Sequence, residues 1–196
     1  MTKKEVLKTA RQELGTYEDG ENRVKYNAWY YGRDVSGADY AWCMVFVQWV
    51  FNAVGSPLTH RTASCANMLD WWKQNNASKV FATPEEGDIV IYSGHTGIVE
   101  RVYSNGDFDA IEGNYSNMVK KVYRKKGSAL AFLRPNYEPE SVQLMDKIED
   151  VPDWARATVQ KLVSKGTING TGSGLGLSND FVRLLVVLDR EGCFDN

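Results

Sequence analysis

The chain has 196 residues, 43% of them hydrophobic, which suits one domain of ordinary size with a proper core and a small appendage. Its formal net charge of -2 gives no electrostatic basis for holding nucleic acid or an anionic membrane. Three cysteines, Cys43, Cys65 and Cys193, are too few and too scattered for a disulfide framework or a zinc site, and no apolar run is long enough to span a bilayer.

In chain order, Thr2 to Leu14 reads as an amphipathic opening helix, with Val6, Leu7, Ala10 and Leu14 on one side and Gly15 just beyond. Tyr17 to Gly32 is a stretch of polar turn residues and aromatics, including Tyr26, Trp29, Tyr30 and Tyr31. A second helix is expected from Cys43, where Phe46, Val47, Val50, Phe51 and Val54 recur at spacings of three and four as one buried stripe. Asp34, Ser36, Gly37 and Asp39 supply turn and N-cap chemistry before it, and Gly55, Ser56 and Pro57 end it. Ser64 caps a third helix, whose Met68, Leu69 and Trp72 face the core.

From Pro84 the period changes from helical to alternating. Asp88 to Tyr92, His95 to Tyr103, Phe108 to Gly113, Met118 to Arg124 and Leu130 to Leu133 read as short strands, with Asn105-Gly106 as a hairpin turn. Lys120, Lys121, Arg124, Lys125 and Lys126 read first as a solvated strand face and second as a contact for an anionic polymer. Helices followed by a meander indicate α+β with an antiparallel sheet. After Pro135, Tyr137, Glu138, Pro139 and Glu140 suggest a linker, and helix-like runs from Trp154 to Val163 and Asp180 to Asp189 flank a glycine-rich loop. The expected divisions are 1–136, a linker over 137–149, and a two-helix module over 150–196.

Cys43 falls in the first turn of its helix, where unpaired N–H groups and the helix dipole favour a thiolate. On the helix alone a buried structural cysteine is the competing reading. A nucleophilic thiol needs an imidazole to move its proton, and the imidazole needs a polar partner. Only His60 and His95 are available. His60 reads as an exposed loop residue after Pro57, whereas His95 opens an apolar strand beside glycines that allow close backbone approach. With Asn105-Gly106 as a two-residue loop, His95 faces Ser116, Asn114 is its diagonal neighbour and Glu112 lies two residues further along. A three-residue loop flips that parity; a bulge near Glu112-Gly113 brings the carboxylate in.

Ala41-Trp42-Cys43-Met44-Val45-Phe46-Val47-Gln48-Trp49, Gly87-Asp88-Ile89-Val90-Ile91-Tyr92, Gly94-His95-Thr96-Gly97-Ile98-Val99 and Ile111-Glu112-Gly113-Asn114 resemble, in order and spacing, the motifs of the CHAP family. These are papain-like, NlpC/P60-type peptidoglycan amidases and endopeptidases, common in phage endolysins. The resemblance runs from about Val6 to Pro135. It implies helices packed on an antiparallel sheet, with Cys43 as nucleophile, His95 as general base and acid, Glu112 as orienter of His95 and Asn114 as the accompanying polar residue. One branch of the family binds calcium before the nucleophile, but Asp34 to Tyr40 offers too few oxygen ligands, so neither metal nor cofactor is expected.

The tail, through Asp150-Val151-Pro152-Asp153-Trp154-Ala155, Val159, Leu162, Lys165-Gly166-Thr167-Ile168-Asn169-Gly170 and Arg183-Leu184-Leu185-Val186, resembles a single S-layer-homology-type repeat. That implies wall attachment or self-association. The expected function is cleavage of an amide in cell-wall peptide or at the muramoyl-alanine link of a Gram-positive-type wall. Alternatives are a catalytically silent wall-binding module or a papain-like enzyme acting on protein. Trp42, Tyr31, Trp71 and Tyr115 are candidates to line the groove, among an aromatic content of 12%. Cys65 and Cys193, with no base nearby in sequence, are read as inert. No Sec-type leader is visible, so synthesis in the cytosol and release by a holin-type or other non-Sec route are expected.

Overall fold

At the start of the chain, the Thr2 hydroxyl accepts from the Glu5 N–H at 3.3 Å and the Glu5 carboxylate accepts from the Thr2 N–H at 2.8 Å. This reciprocal cap satisfies two amides that a helix leaves unpaired and so starts α1 (Lys3–Gln12), which buries Val6, Leu7 and Ala10. The helix stops short of Leu14, which is exposed instead of joining that face. The computed structural model describes residues 1–139 and 144–195. It divides into two compact units, Met1–Glu140 and Ser141–Asn196.

In the first unit, α1 is followed by α2 (Lys25–Tyr31), α3 (Cys43–Ala53) and α4 (Cys65–Asn75). The two-turn α2 lies in the stretch read as turns, because its aromatic run has no helical period and its N-cap, Val24, makes no side-chain cap bond. In α3, Met44, Val45, Phe46, Val47, Val50 and Phe51 are all fully buried, so the helix is enclosed and not merely striped. Each of those side chains contributes about 1.5–3 kcal/mol of transfer free energy, which makes α3 the centre of the core. Ser64 caps α4 as expected, accepting from the Asn67 N–H at 3.2 Å.

Six strands follow: β1 (Val80–Phe81), β2 (Ile89–Tyr92), β3 (His95–Val102), β4 (Phe108–Tyr115), β5 (Met118–Arg124) and β6 (Ala131–Leu133). They form one antiparallel sheet in the order β1-β6-β2-β3-β4-β5. The fold is therefore α+β. Ile89, Ile91, Ile98, Ile111, Ala131 and Leu133 join the helices in the main core. Val90, Tyr92, Val99, Phe108, Ala110 and Phe132, at the alternate positions, form a second cluster on the other face. Gly113 lets the sheet backbone sit directly on α3, since a Cβ there would stand 2.5 Å from Phe46 Cβ.

The hairpin between β3 and β4 differs from the expected one. Tyr103 N–H donates to Asp107 O and Gly106 N–H to Tyr103 O, both at 2.8 Å, so the loop holds three residues, Ser104 to Gly106. A bulge between Val99 and Arg101 then shifts the register again, giving Val99↔Ala110 and Ile98↔Ile111. Each departure flips the face on which residues meet, so together they restore it and carry Glu112 two residues nearer to His95.

Tyr137 and Glu138, expected in the linker, are tied to the first unit: Tyr137 Oη donates to Gly87 O at 2.7 Å, and the N-terminal amine pairs with Glu138 at 2.8 Å. Residues 140–143 of that expected linker lie outside the described residues. Among its described residues the second unit contains a 3-10 turn (Ile148–Asp150), α5 (Asp153–Ser164), α6 (Asn179–Arg190) and a bridge between Met145 and Leu177. Val151, Ala155, Val159, Leu177, Val182 and Val186 form its small core, and Asp189 accepts from Thr158 Oγ1 and Lys161 Nζ at 2.7 and 2.8 Å. Among the described residues no helix is long and apolar enough to cross a membrane.

Candidate active site

Cys43 is the first residue of α3, and the N-cap is Trp42, which makes no side-chain cap bond. Asp34, Ser36 and Asp39, expected to cap, belong instead to a loop and a short 3-10 turn, Ala38–Tyr40. The first-turn amides are thus left to the sulfur, and the Met44 N–H is among the groups that stabilise its anion. Cys43 is 6% exposed.

His95 opens β3, with its side chain 23% exposed. Its Nε2 lies 2.9 Å from Glu112 Oε2, and the Cys43 thiol is near enough for its charge to act on the ring. With Nε2 committed to the carboxylate, Nδ1 is the nitrogen left for the thiol. Glu112 is fully buried and accepts four hydrogen bonds: from His95, from Tyr92 Oη at 3.0 Å, and from Arg124 Nε and a terminal guanidinium nitrogen at 2.8 and 2.6 Å. The guanidinium also lies over the rings of Tyr92 and Tyr115, 4.8 and 5.1 Å from their centroids. Gly97 makes room for the carboxylate, because a Cβ there would stand 2.6 Å from Glu112 Cγ.

These contacts set the charges. Burial pushes the Glu112 carboxyl up, but the hydrogen bonds and charges of Arg124 and His95 outweigh it and hold the group below its ordinary value. For His95, burial disfavours the cation, yet hydrogen bonds to Cys43 and Glu112 and their negative charges win and raise it to about 9. A hydrogen bond from Cys65 is the largest influence on Cys43; with the help of His95 and the Met44 amide it overcomes burial and lowers the thiol to about 5. Between those values the pair rests as thiolate and imidazolium. This is a nucleophile beside a proton donor, the requirement for acyl transfer through a thioester.

The expected site residues fare differently. Cys43, His95 and Glu112 meet. Asn114 does not reach His95: with φ 58°, beside a bulge between Glu112 and Tyr115, its amide donates to Asn22 Oδ1 at 3.1 Å, and Asn22 in turn donates to Gly37 O. It braces the loop ahead of α3. Trp42, expected at the groove, is wholly buried; its indole donates to Glu18 at 2.8 Å and packs against Tyr26, so its part is packing. Tyr115 lies beside His95, with ring centroids 6.3 Å apart. Tyr31 is partly exposed, edge-on to Tyr30 and Tyr40, and Trp71 stacks on His60 at 5.2 Å.

Three residues that contact the site were not anticipated from the sequence. Arg124 was read with the neighbouring lysines as solvated, although a lone Arg among four Lys is itself a signal, since only its planar fork clamps a carboxylate bidentately. Tyr92 closes the Gly87–Tyr92 motif, where nothing adjacent in sequence signals that its hydroxyl reaches Glu112. Cys65, read as inert, has its sulfur 3.7 Å from that of Cys43. Among the described residues no group of three or more His, Cys, Asp or Glu side chains is placed to hold a metal ion.

Residues 35–114 match the family model described as CHAP domain, a stretch that contains Cys43, His95, Glu112 and Asn114 and ends before the second unit. No curated protein and no solved structure matches the chain.

Proposed function

We propose, taking the CHAP domain match over residues 35–114 as premise, that this chain is a peptidoglycan hydrolase of the cysteine amidase or endopeptidase kind. The observation that carries the reading is the grouping of Cys43, His95 and Glu112: the imidazole is hydrogen-bonded to Glu112 at 2.9 Å and coupled electrostatically to the thiol, and the carboxylate is clamped from behind by Arg124. The Cys43 thiolate attacks the carbonyl carbon of an amide in the wall peptide or at the muramoyl-alanine link. The backbone N–H of Cys43 stabilises the oxyanion. As the tetrahedral intermediate collapses, His95 gives its proton to the leaving amine. The neutral imidazole then takes a proton from water, the hydroxide attacks the thioester, and the acid departs as the thiolate and imidazolium re-form. Glu112 keeps the ring oriented and its cation stabilised throughout.

An endolysin-type role at a Gram-positive wall, after holin-type or other non-Sec release, fits this chemistry. For the second unit we propose an S-layer-homology-like module serving wall attachment or self-association, a reading supported by its own apolar core and its motif residues.

Purified Gram-positive walls incubated with wild type and with Cys43→Ala test the proposal. Clearing by wild type alone is expected, and mass spectrometry of the fragments names the bond through the new free amino termini. Equal clearing by both proteins would remove this thiol from the reaction.

A further inference from the structure

Cys65 opens α4 just as Cys43 opens α3, so two helix starts bring two sulfurs to one point. The Sγ atoms lie 3.7 Å apart, both cysteines are free, and each residue is 6% exposed. Hydrolysis through Cys43 and His95 uses only one of them. Neither cysteine is completely enclosed, and the neighbouring His95 side chain is 23% exposed. We infer that Cys43 and Cys65 form an oxidative modification site, at which a peroxide converts the nucleophile into a reversible intramolecular disulfide.

The two sulfurs are chemically unequal. The Cys65 thiol donates its hydrogen bond to the Cys43 anion; that contact, together with burial, pushes Cys65 up while Cys43 is pushed down. A peroxide therefore reacts first at Cys43. The thiolate attacks one peroxide oxygen and the O–O bond breaks, leaving a sulfenic acid on Cys43 and hydroxide. The hydroxide takes the Cys65 proton and leaves as water. The Cys65 thiolate then attacks the Cys43 sulfur: the S–S bond forms, the S–O bond breaks, and the departing hydroxide takes the His95 imidazolium proton to become a second water. Two thiols lose two electrons and one peroxide is reduced to two waters. Closing from 3.7 Å to the roughly 2.05 Å of an S–S bond is shared between two side chains. Cys65 also intercepts the sulfenic acid before a second peroxide can carry it to the irreversible sulfinic acid.

The functional consequence, a lytic site parked and recoverable, rests on the hydrolase reading; the disulfide itself does not. The test uses the full chain in a Cys193→Ser background, which removes the exposed third thiol. Protein is treated with hydrogen peroxide, alkylated and mapped by mass spectrometry, with wall clearing followed before and after dithiothreitol. A linked Cys43–Cys65 peptide pair, two hydrogens lighter than the dithiol, is expected, with clearing lost and then restored by the reductant. In a Cys65→Ser variant, Cys43 is expected to reach the sulfinic acid and stay there. Sulfinic acid on Cys43 with Cys65 still alkylatable, in the protein retaining both thiols, overturns the inference whatever the variant does. If the linked pair forms in a protein that never clears walls, the hydrolase reading fails and the modification site stands; clearing without the linked pair is the reverse.

Discussion

Two buried carboxylates of the first unit are each gripped by an arginine fork, and they end in different states. Asp88 accepts from Arg134 Nε and a terminal nitrogen, both at 2.9 Å, and Glu112 accepts from Arg124 in the same manner at 2.8 and 2.6 Å. Burial nevertheless pushes the Asp88 carboxyl above its ordinary value, with Arg134 offsetting only part of the cost. Glu112 is held below its ordinary value although it too is fully buried. The difference lies in the neighbours: Glu112 has a second cation in His95, whereas Asp88 has a second anion in Glu85, which also shares Arg134. One guanidinium makes a structural staple out of a carboxylate; a guanidinium on one side and an imidazolium on the other make a fixed anion that can hold a general acid in its charged form.

The comparison can be broken most decisively at the two carboxylates. Glu112→Gln should lower kcat/KM for wall cleavage by about 10²–10⁴-fold, measured as release of free amino groups from purified peptidoglycan, with circular dichroism checking the fold. Asp88→Asn should instead cost about 3–5 kcal/mol of stability in chemical denaturation and leave the activity of the folded fraction unchanged. If the two variants lose activity alike, the division between staple and anchor is wrong.

Arg124 should show a smaller, graded loss. Arg124→Ala leaves a buried carboxylate with one cation, so its affinity for protons rises and kcat falls, while KM changes little. Arg124→Lys keeps the charge but not the fork, and a partial recovery between alanine and wild type is expected.

The pH profile sharpens the same point. Activity requires Cys43 deprotonated and His95 protonated, so it should rise through about pH 5 and fall through about pH 9. Removing the Glu112 charge withdraws a group that raises His95, so the alkaline limb of Glu112→Gln should move to lower pH, whereas Asp88→Asn should leave both limbs in place. A fixed alkaline limb in Glu112→Gln would deny the carboxylate its influence on the imidazole. The smallest effect is expected for Tyr92→Phe, which removes one of four hydrogen bonds to Glu112 and should cost about 0.5–1.5 kcal/mol of stability.

Much of this architecture was legible in the sequence because periodicity is local. The spacing of Phe46, Val47, Val50 and Phe51 gave a helix beginning at Cys43, and the alternation after Pro84 gave five of the six strands. The short α2 and the two-residue β1 carry too few residues for any period to register. In the site, Cys43, His95 and Glu112 could be named, but their meeting could not be derived from turn chemistry alone. The hairpin loop and the bulge near Glu100 each departed from the simple register, and only their combined shift brought Glu112 to the imidazole. Arg124 and Cys65 were set aside because their partners, 12 and 22 residues away, are chosen by packing between elements and not by any neighbour in sequence.

The bare backbone at Gly97 has a consequence for anyone diversifying this site. Even a methyl group at that position would collide with the stem of Glu112, so mutagenesis libraries that admit alanine there would fill with anchors displaced from the imidazole. Position 97 is best kept invariant in such libraries, with variety introduced at partly exposed residues such as Tyr31, whose ring contacts are with Tyr30 and Tyr40 and not with the Glu112 clamp.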